Sequence, residues 1–178
     1  QIQQTLEAIK NMNMQTVWLW PNIDAGSDDI SKGIRIFREN NKDFPIRFYK
    51  NFSPEDYAKL LANAACIVGN SSSAIREGSY LGTPAVNVGT RQSFRECGKN
   101  VIHTDYESKK IYYAIKSQLK HGKYKPSKLF GNGNAGKKIA NLLAKCEIKI
   151  QKSLKYNNVT DLERKKNVKS NKTKLLLC

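Results

Sequence analysis

Five short β-prone apolar runs alternate with segments of helical periodicity, and this alternation limits the chain to very few architectures. The runs are Thr16-Val17-Trp18-Leu19-Trp20, Pro45-Ile46-Arg47-Phe48-Tyr49-Lys50, Ala64-Ala65-Cys66-Ile67-Val68, Ala85-Val86-Asn87-Val88 and Val101-Ile102-His103. Between and after them come apolar positions at helical spacing: Ile30, Ile34 and Phe37, then Tyr57, Leu60 and Leu61, then Ile111, Ala114, Ile115, Gln118 and Leu119. Ser27-Asp28-Asp29 and Ser53-Pro54-Glu55-Asp56 carry the cap, acids and proline that open a helix. Such connections are too long for hairpins, and strands joined by helical crossovers run parallel. The expected fold is α/β, an open parallel sheet with helices on both faces. Helices are also expected within residues 1–14 and over 134–151.

In a sheet of this kind, ligands bind beyond the carboxyl ends of the strands. The turns at 21–27, 50–53 and 69–73 and the loop at 89–98 are therefore expected on one edge. The turn at 69–73 is the most informative. Gly69-Asn70-Ser71-Ser72-Ser73 follows an apolar run and precedes Ala74-Ile75-Arg76-Glu77, a strand, a hydroxyl-rich turn and a helix start. Free backbone N–H groups, the positive end of the helix dipole and hydroxyls favour a phosphate there. An ordinary serine N-cap with solvated neighbours fits the same local pattern.

With 178 residues and 39% hydrophobic composition, the chain can form one domain with a real core. That domain is expected over residues 1–150, with 151–178 as a basic, disordered tail whose terminal Cys178 is not a prenylation box. A net charge of +16 raises nucleic acid and anionic membrane as partners. The cationic excess lacks an alternation with aromatics, so solvated faces are expected and neither partner is. No apolar run reaches the length of a membrane span, and Gln1-Ile2-Gln3-Gln4 lacks a signal-peptide profile. The missing initiator methionine suggests that upstream residues were removed. Four scattered cysteines and two histidines argue against zinc and for reduced thiols in a cytoplasmic setting.

Longer motifs now carry a resemblance. Trp20-Pro21-Asn22-Ile23-Asp24-Ala25-Gly26-Ser27, Gly69-Asn70-Ser71-Ser72 with Arg76-Glu77, Gly82-Thr83-Pro84-Ala85-Val86-Asn87-Val88-Gly89-Thr90-Arg91-Gln92 with Arg95-Glu96, and Gly131-Asn132-Gly133-Asn134-Ala135 stand in this order. In that order the chain resembles UDP-N-acetylglucosamine 2-epimerases over residues from about 16 to 145, and most closely their hydrolysing branch. The resemblance implies the Rossmann-like C-terminal half of a glycosyltransferase-B-like enzyme, with the site in the cleft between two halves. It implies a UDP-sugar substrate, no cofactor, an N-terminal half as partner and a homo-oligomer in the full-length protein. By position, Ser71 and Ser72 would hold phosphate oxygens, and Arg91 would add a guanidinium near the diphosphate. Glu77 would accept hydrogen bonds from the ribose hydroxyls. Phe52 falls where the backbone addresses uracil. Asn22, Lys50 and Asn51 match positions of a CMP-sialic acid inhibitor site in animal members. Lys32 and Arg35 lie near positions tied to that regulation, but an exposed basic helix face is the default reading for them.

For this family the implied reaction is anti elimination of UDP to a glycal, then addition of water with inversion at C2, giving N-acetylmannosamine for sialic-acid-type sugars. Its acid and base groups belong to the N-terminal half, and neither His103 nor His121 matches them. The chain is thus expected to recognise the nucleotide and stabilise the leaving group, with no catalytic residue of its own. Three alternatives stay open: a non-hydrolysing or di-N-acetyl-sugar epimerase, a nucleotide-binding module without catalysis, and a glycosyltransferase nucleotide domain.

Overall fold

The computed structural model describes residues 1–22, 26–147 and 151. Five strands and six helices are present among them: α1 (Ile2–Met12), β1 (Thr16–Leu19), α2 (Ser27–Asn40), β2 (Ile46–Tyr49), α3 (Pro54–Asn63), β3 (Ile67–Gly69), α4 (Ser72–Leu81), β4 (Ala85–Val88), β5 (Val101–Thr104), α5 (Ser108–His121) and α6 (Ala135–Leu143). Their order follows the alternation expected from the sequence. All pairings are parallel. The strands form two hydrogen-bonded ladders, β1-β2 and β3-β4-β5, where one continuous sheet was expected.

Both ladders contribute to one core. Val86 and Val88 of β4 pack with Ile111 and Ile115 of α5 and with Ala8 and Ile9 of α1, and Trp18 of β1 and Val68 of β3 lie against that cluster. Side chains alternate across a strand, so Ala85 and Asn87 point to the opposite face of β4, which α4 covers. Helices therefore lie on both faces of the three-stranded ladder. The strand register sets Gly69 opposite Asn87, and Asn87 opposite His103.

Local chemistry explains the helix ends. Ser53 caps α3, its Oγ accepting from Asp56 N at 3.1 Å, and Pro54 opens the first turn where its missing N–H is harmless. Gly26, in the left-handed region at φ 82°, occupies the N-cap position of α2, one residue before Ser27, the cap expected from the sequence, which is instead the first helical residue. α4 ends at Gly82, whose φ of 68° and packing against the Tyr124 carbonyl leave no room for a Cβ.

The chain divides into two compact units, Gln1–Asn134 and a second beginning at Ala135. The second contains α6, which stops at Leu143 and not near 151; Ala144, Lys145 and Cys146 close its end with hydrogen bonds to Ala140, Leu142 and Leu143. Ile139, Leu142 and Leu143 of α6 are exposed. Of the tail expected over 151–178, all but Gln151 lies outside the described residues. No helix among the described residues is long and apolar enough to cross a membrane.

Candidate functional site

The β3–α4 turn gathers several of the residues singled out from the sequence. β3 ends at Gly69, whose φ of 146° is a conformation that L side chains rarely adopt and whose Cβ position faces open space. Ser71 is the N-cap of α4, with φ −75° and ψ 144°, and its Oγ accepts from Ser73 N at 3.3 Å. Because that oxygen serves as acceptor, its O–H stays available to donate. Ser72 opens the helix half-buried, and Glu77, a turn and a half further on, is exposed. The first turn of α4 thus presents hydroxyls and backbone N–H groups at the positive end of a ten-residue helix.

A cleft of about 250 Å³ opens beside this turn, lined by Ser72, Ile75, Arg76, Arg95, Glu96 and Phe130. Two arginines thus share this cleft with Ser72. A second groove, of about 220 Å³, runs between α1 and α2, is mainly apolar, and contains none of the residues predicted for the site.

The loop after β4 approaches the same turn. Gln92 is only 3% exposed, and its Nε2 donates to the carbonyl of Asn70 at 2.8 Å. Arg91, next to it, is exposed. Asn87 is fully buried; its Nδ2 donates to Gly89 O at 3.2 Å and lies 3.0 Å from His103 Nδ1. Asn87 Nδ2 can only donate, so His103 Nδ1 is the acceptor of that contact, and His103 Nε2 lies 3.5 Å from Cys97 Sγ. Asn87 Oδ1 and Gln92 Oε1 are buried with no hydrogen-bond partner among the described residues.

A polar network anchors the other end of α4. Asn100, 2% exposed, donates from Nδ2 to Ala74 O at 3.2 Å and Thr83 O at 2.8 Å, and accepts from Ser79 Oγ at 2.7 Å. Gln118 donates to Ala85 O and Asn100 O, both at 2.7 Å. Lys123 Nζ donates to Ala62 O at 2.7 Å and to Thr83 Oγ1 at 2.9 Å, and burial holds its pKa below the usual lysine value. Desolvation pushes the Cys66 thiol, just before β3, up to about 12. Cys66, Cys97 and Cys146 are free thiols.

The β1–β2 ladder carries the remaining predicted residues at its carboxyl edge. Phe52 is half-buried with its ring centroid 4.9 Å from that of Tyr49, and its N–H donates to Asn51 Oδ1 at 2.9 Å. Lys50, Asn51 and Asn22 are exposed. Lys32 and Arg35 are exposed on α2. The structure thus brings Ser71, Ser72 and the Arg91 loop together through Gln92, and puts Phe52, Lys50 and Asn51 on one turn of the other ladder.

Sequence reasoning assigned no role to Gln92, Asn100, Arg76 or Arg95. Asn87, Gln92, Asn100 and Gln118 are polar residues where burial of the neighbouring apolar positions makes a polar side chain unexpected, and that signal points to built hydrogen bonds. Arg76 and Arg95 stand in quoted motifs, but only the fold brings them to one cleft.

Comparison with known proteins gives consistent results. A family model described as UDP-N-acetylglucosamine 2-epimerase matches residues 1–144. The UDP-N-acetylglucosamine 2-epimerase of Neisseria meningitidis serogroup B is 37% identical over 133 residues, covering 74% of this chain and 34% of that protein. The UDP-N,N'-diacetylbacillosamine 2-epimerase (hydrolyzing) of Legionella pneumophila is 32% identical over 143 residues, covering 80% and 37%. The solved Methanocaldococcus jannaschii UDP-GlcNAc 2-epimerase, in complex with UDP-GlcNAc and UDP, superposes with a TM-score of 0.63 at 19% identity over 80% of this chain and 39% of that one, a likeness of fold. The chain spans about a third of the length of these relatives. By its family-model match and its identity to these relatives, the chain belongs to the UDP-N-acetylglucosamine 2-epimerase family.

Proposed function

We propose that this chain is the UDP-binding C-terminal half of a hydrolysing UDP-N-acetylglucosamine 2-epimerase. The whole enzyme converts UDP-N-acetylglucosamine to N-acetylmannosamine and UDP for sialic-acid-type sugars. One observation carries the reading: the serine turn at the start of α4, open at Gly69 and flanked by Arg76 and Arg95, is tied by Gln92 to the loop bearing Arg91. Ser71 and Ser72 donate to phosphate oxygens from their hydroxyls and backbone, and the neighbouring guanidiniums offset the diphosphate charge. Glu77 takes the ribose hydroxyls, and the Phe52 turn takes uracil. Stabilising the departing UDP lowers the barrier to elimination.

Proton removal at C2 falls to groups outside this chain, in an N-terminal half that closes over the sugar, and the full-length protein works as a homo-oligomer. Asn22, Lys50 and Asn51 form an effector site on the first ladder. The hydrolysing assignment has support in the Legionella relative, whose name carries that activity.

An assay of UDP and N-acetylmannosamine release from UDP-N-acetylglucosamine tests the reading. Turnover is expected from the full-length protein and none from the 178-residue chain alone, because general acid and base groups contribute roughly 10²–10⁴-fold each and binding the leaving group does not replace them. Accumulation of UDP-N-acetylmannosamine without free UDP contradicts the hydrolysing assignment. Sustained turnover by the chain alone contradicts the division of labour.

A further inference from the structure

We propose that Gln92 is a positioning residue that makes the Arg91 loop and the Gly69-Asn70-Ser71 turn one rigid diphosphate-binding unit. The inference rests on the reading of that turn as the UDP site.

Stability gives little reason for the way Gln92 is placed. Its Nε2 serves the carbonyl of Asn70, an exposed residue, in a bond that is only part-buried. To make that bond the side chain is buried to 3% exposure, which leaves Oε1 enclosed with no donor. Flipping the amide would set Oε1 against the Asn70 carbonyl, two acceptors face to face, so the orientation is fixed by its surroundings. An orphaned buried acceptor costs at least as much as an ordinary neutral hydrogen bond returns. The bond's net contribution to folding is therefore close to nothing.

What the bond does fix is position. From Gly69 to Asn70 the chain passes from the end of β3 into the cap of α4, and Gln92 holds that step from across the β4 end of the ladder. On the loop side, Ser93 N donates to Thr90 O at 2.9 Å and Arg95 N to Gln92 O at 3.3 Å, closing a tight turn around Gln92. Phe94 in this turn has φ 64° and a side chain wholly in solvent. A bulky residue held in the left-handed region with no burial in return shows that other contacts impose the loop's shape. Gln92 is the inward-facing side chain of that loop. Its tie to Asn70 sets the spacing between the Arg91 backbone and the Ser71 and Ser72 hydroxyls, and a diphosphate spanning the two meets donors already in place.

Calorimetric titration of the full chain with UDP and with uridine tests this, using wild type, Gln92→Met, Gln92→Leu, Arg91→Ala and the double variant Arg91→Ala with Gln92→Met. Met keeps the length of the side chain and Leu supplies a second apolar replacement, with thermal melting reporting the fold. Gln92→Met is expected to weaken UDP about three- to tenfold, the scale of a lost hydrogen bond, without lowering the melting temperature. Uridine, which has no phosphate to align, should bind all three single variants as it binds wild type. In the double variant the Gln92 change should add little to the loss caused by Arg91→Ala. Equal weakening of uridine and UDP, full additivity in the double variant, or unchanged UDP binding by both Gln92 variants would overturn the proposal. Failure of the wild-type chain to bind UDP would instead contradict the site assignment beneath it.

Discussion

Asn100 shows how much a single buried amide can organise. It bonds to Ala74 at the start of α4, to Ser79 at its end and to Thr83 ahead of β4, so one side chain fixes a helix against a strand. Asn100→Ala removes the side-chain bonds to two carbonyls and a hydroxyl, and leaves the Thr83 carbonyl and the Ser79 hydroxyl to find other partners. A loss of about 2–4 kcal/mol is expected from urea unfolding, since each buried orphan costs roughly 1–3 kcal/mol and part of the network relaxes. Cys66 supplies a pH-dependent term. Burial raises its thiol from 9.0 to about 12, so between these values the unfolded chain releases a proton that the folded chain retains. Stability is therefore expected to fall as pH rises from about 9 towards 12, and Cys66→Ala should flatten that part of a melting-temperature profile. A parallel decline in both proteins would assign the effect to other groups. The burial of Cys66 follows from its place in an apolar run, but the amide network was not legible in the sequence: Asn100 and Gln118 do not disclose which carbonyls they will meet, because those partners lie 17 to 33 residues away.

At the scale of elements the sequence was more readable. Alternation of β-branched runs with helical periodicity specified five parallel strands, and the Ser53-Pro54 pair specified the start of α3. The division into two ladders was not legible, since strand pairing is decided by packing between distant segments and not by any strand's own letters. α6 ended early because helical composition over 134–151 exceeds the stretch that actually forms a helix, which closes with a turn at 144–146. The C-terminal cap of α4 offers a test at this scale. At Gly82 a side chain would be strained by φ 68° and would collide with the Tyr124 carbonyl, while the Tyr124 N–H donates to Gly82 O at 2.8 Å and holds the two segments together. Gly82→Ala is expected to destabilise by about 1–3 kcal/mol in denaturant unfolding, more than the same change at an open glycine such as Gly136. Equal effects at the two sites would show that the collision is relieved at no cost.

For the molecule as a whole, the account rests on a division of labour. The chain spans about a third of its relatives, and the residues proposed to recognise the nucleotide lie in one unit: a serine turn, Arg76 and Arg95 and an exposed Glu77 near the start of α4, with Arg91 on the neighbouring loop. The family was legible from long motifs in fixed order, and the position of Ser71, Ser72 and Glu77 on that helix followed from them. The coupling of the Arg91 loop to the turn was not, because it depends on one side chain crossing from one loop to another. Titration of the chain with UDP and with CMP by calorimetry, in wild type and in Ser72→Ala and Glu77→Ala, decides whether the α4 turn holds the nucleotide. The account predicts that UDP binds more tightly than CMP and that each substitution weakens UDP by roughly 1.5–3 kcal/mol with the fold intact, the scale of a hydrogen bond involving a charged group. Equal affinity for the two nucleotides, or UDP binding unchanged in both variants, would contradict it.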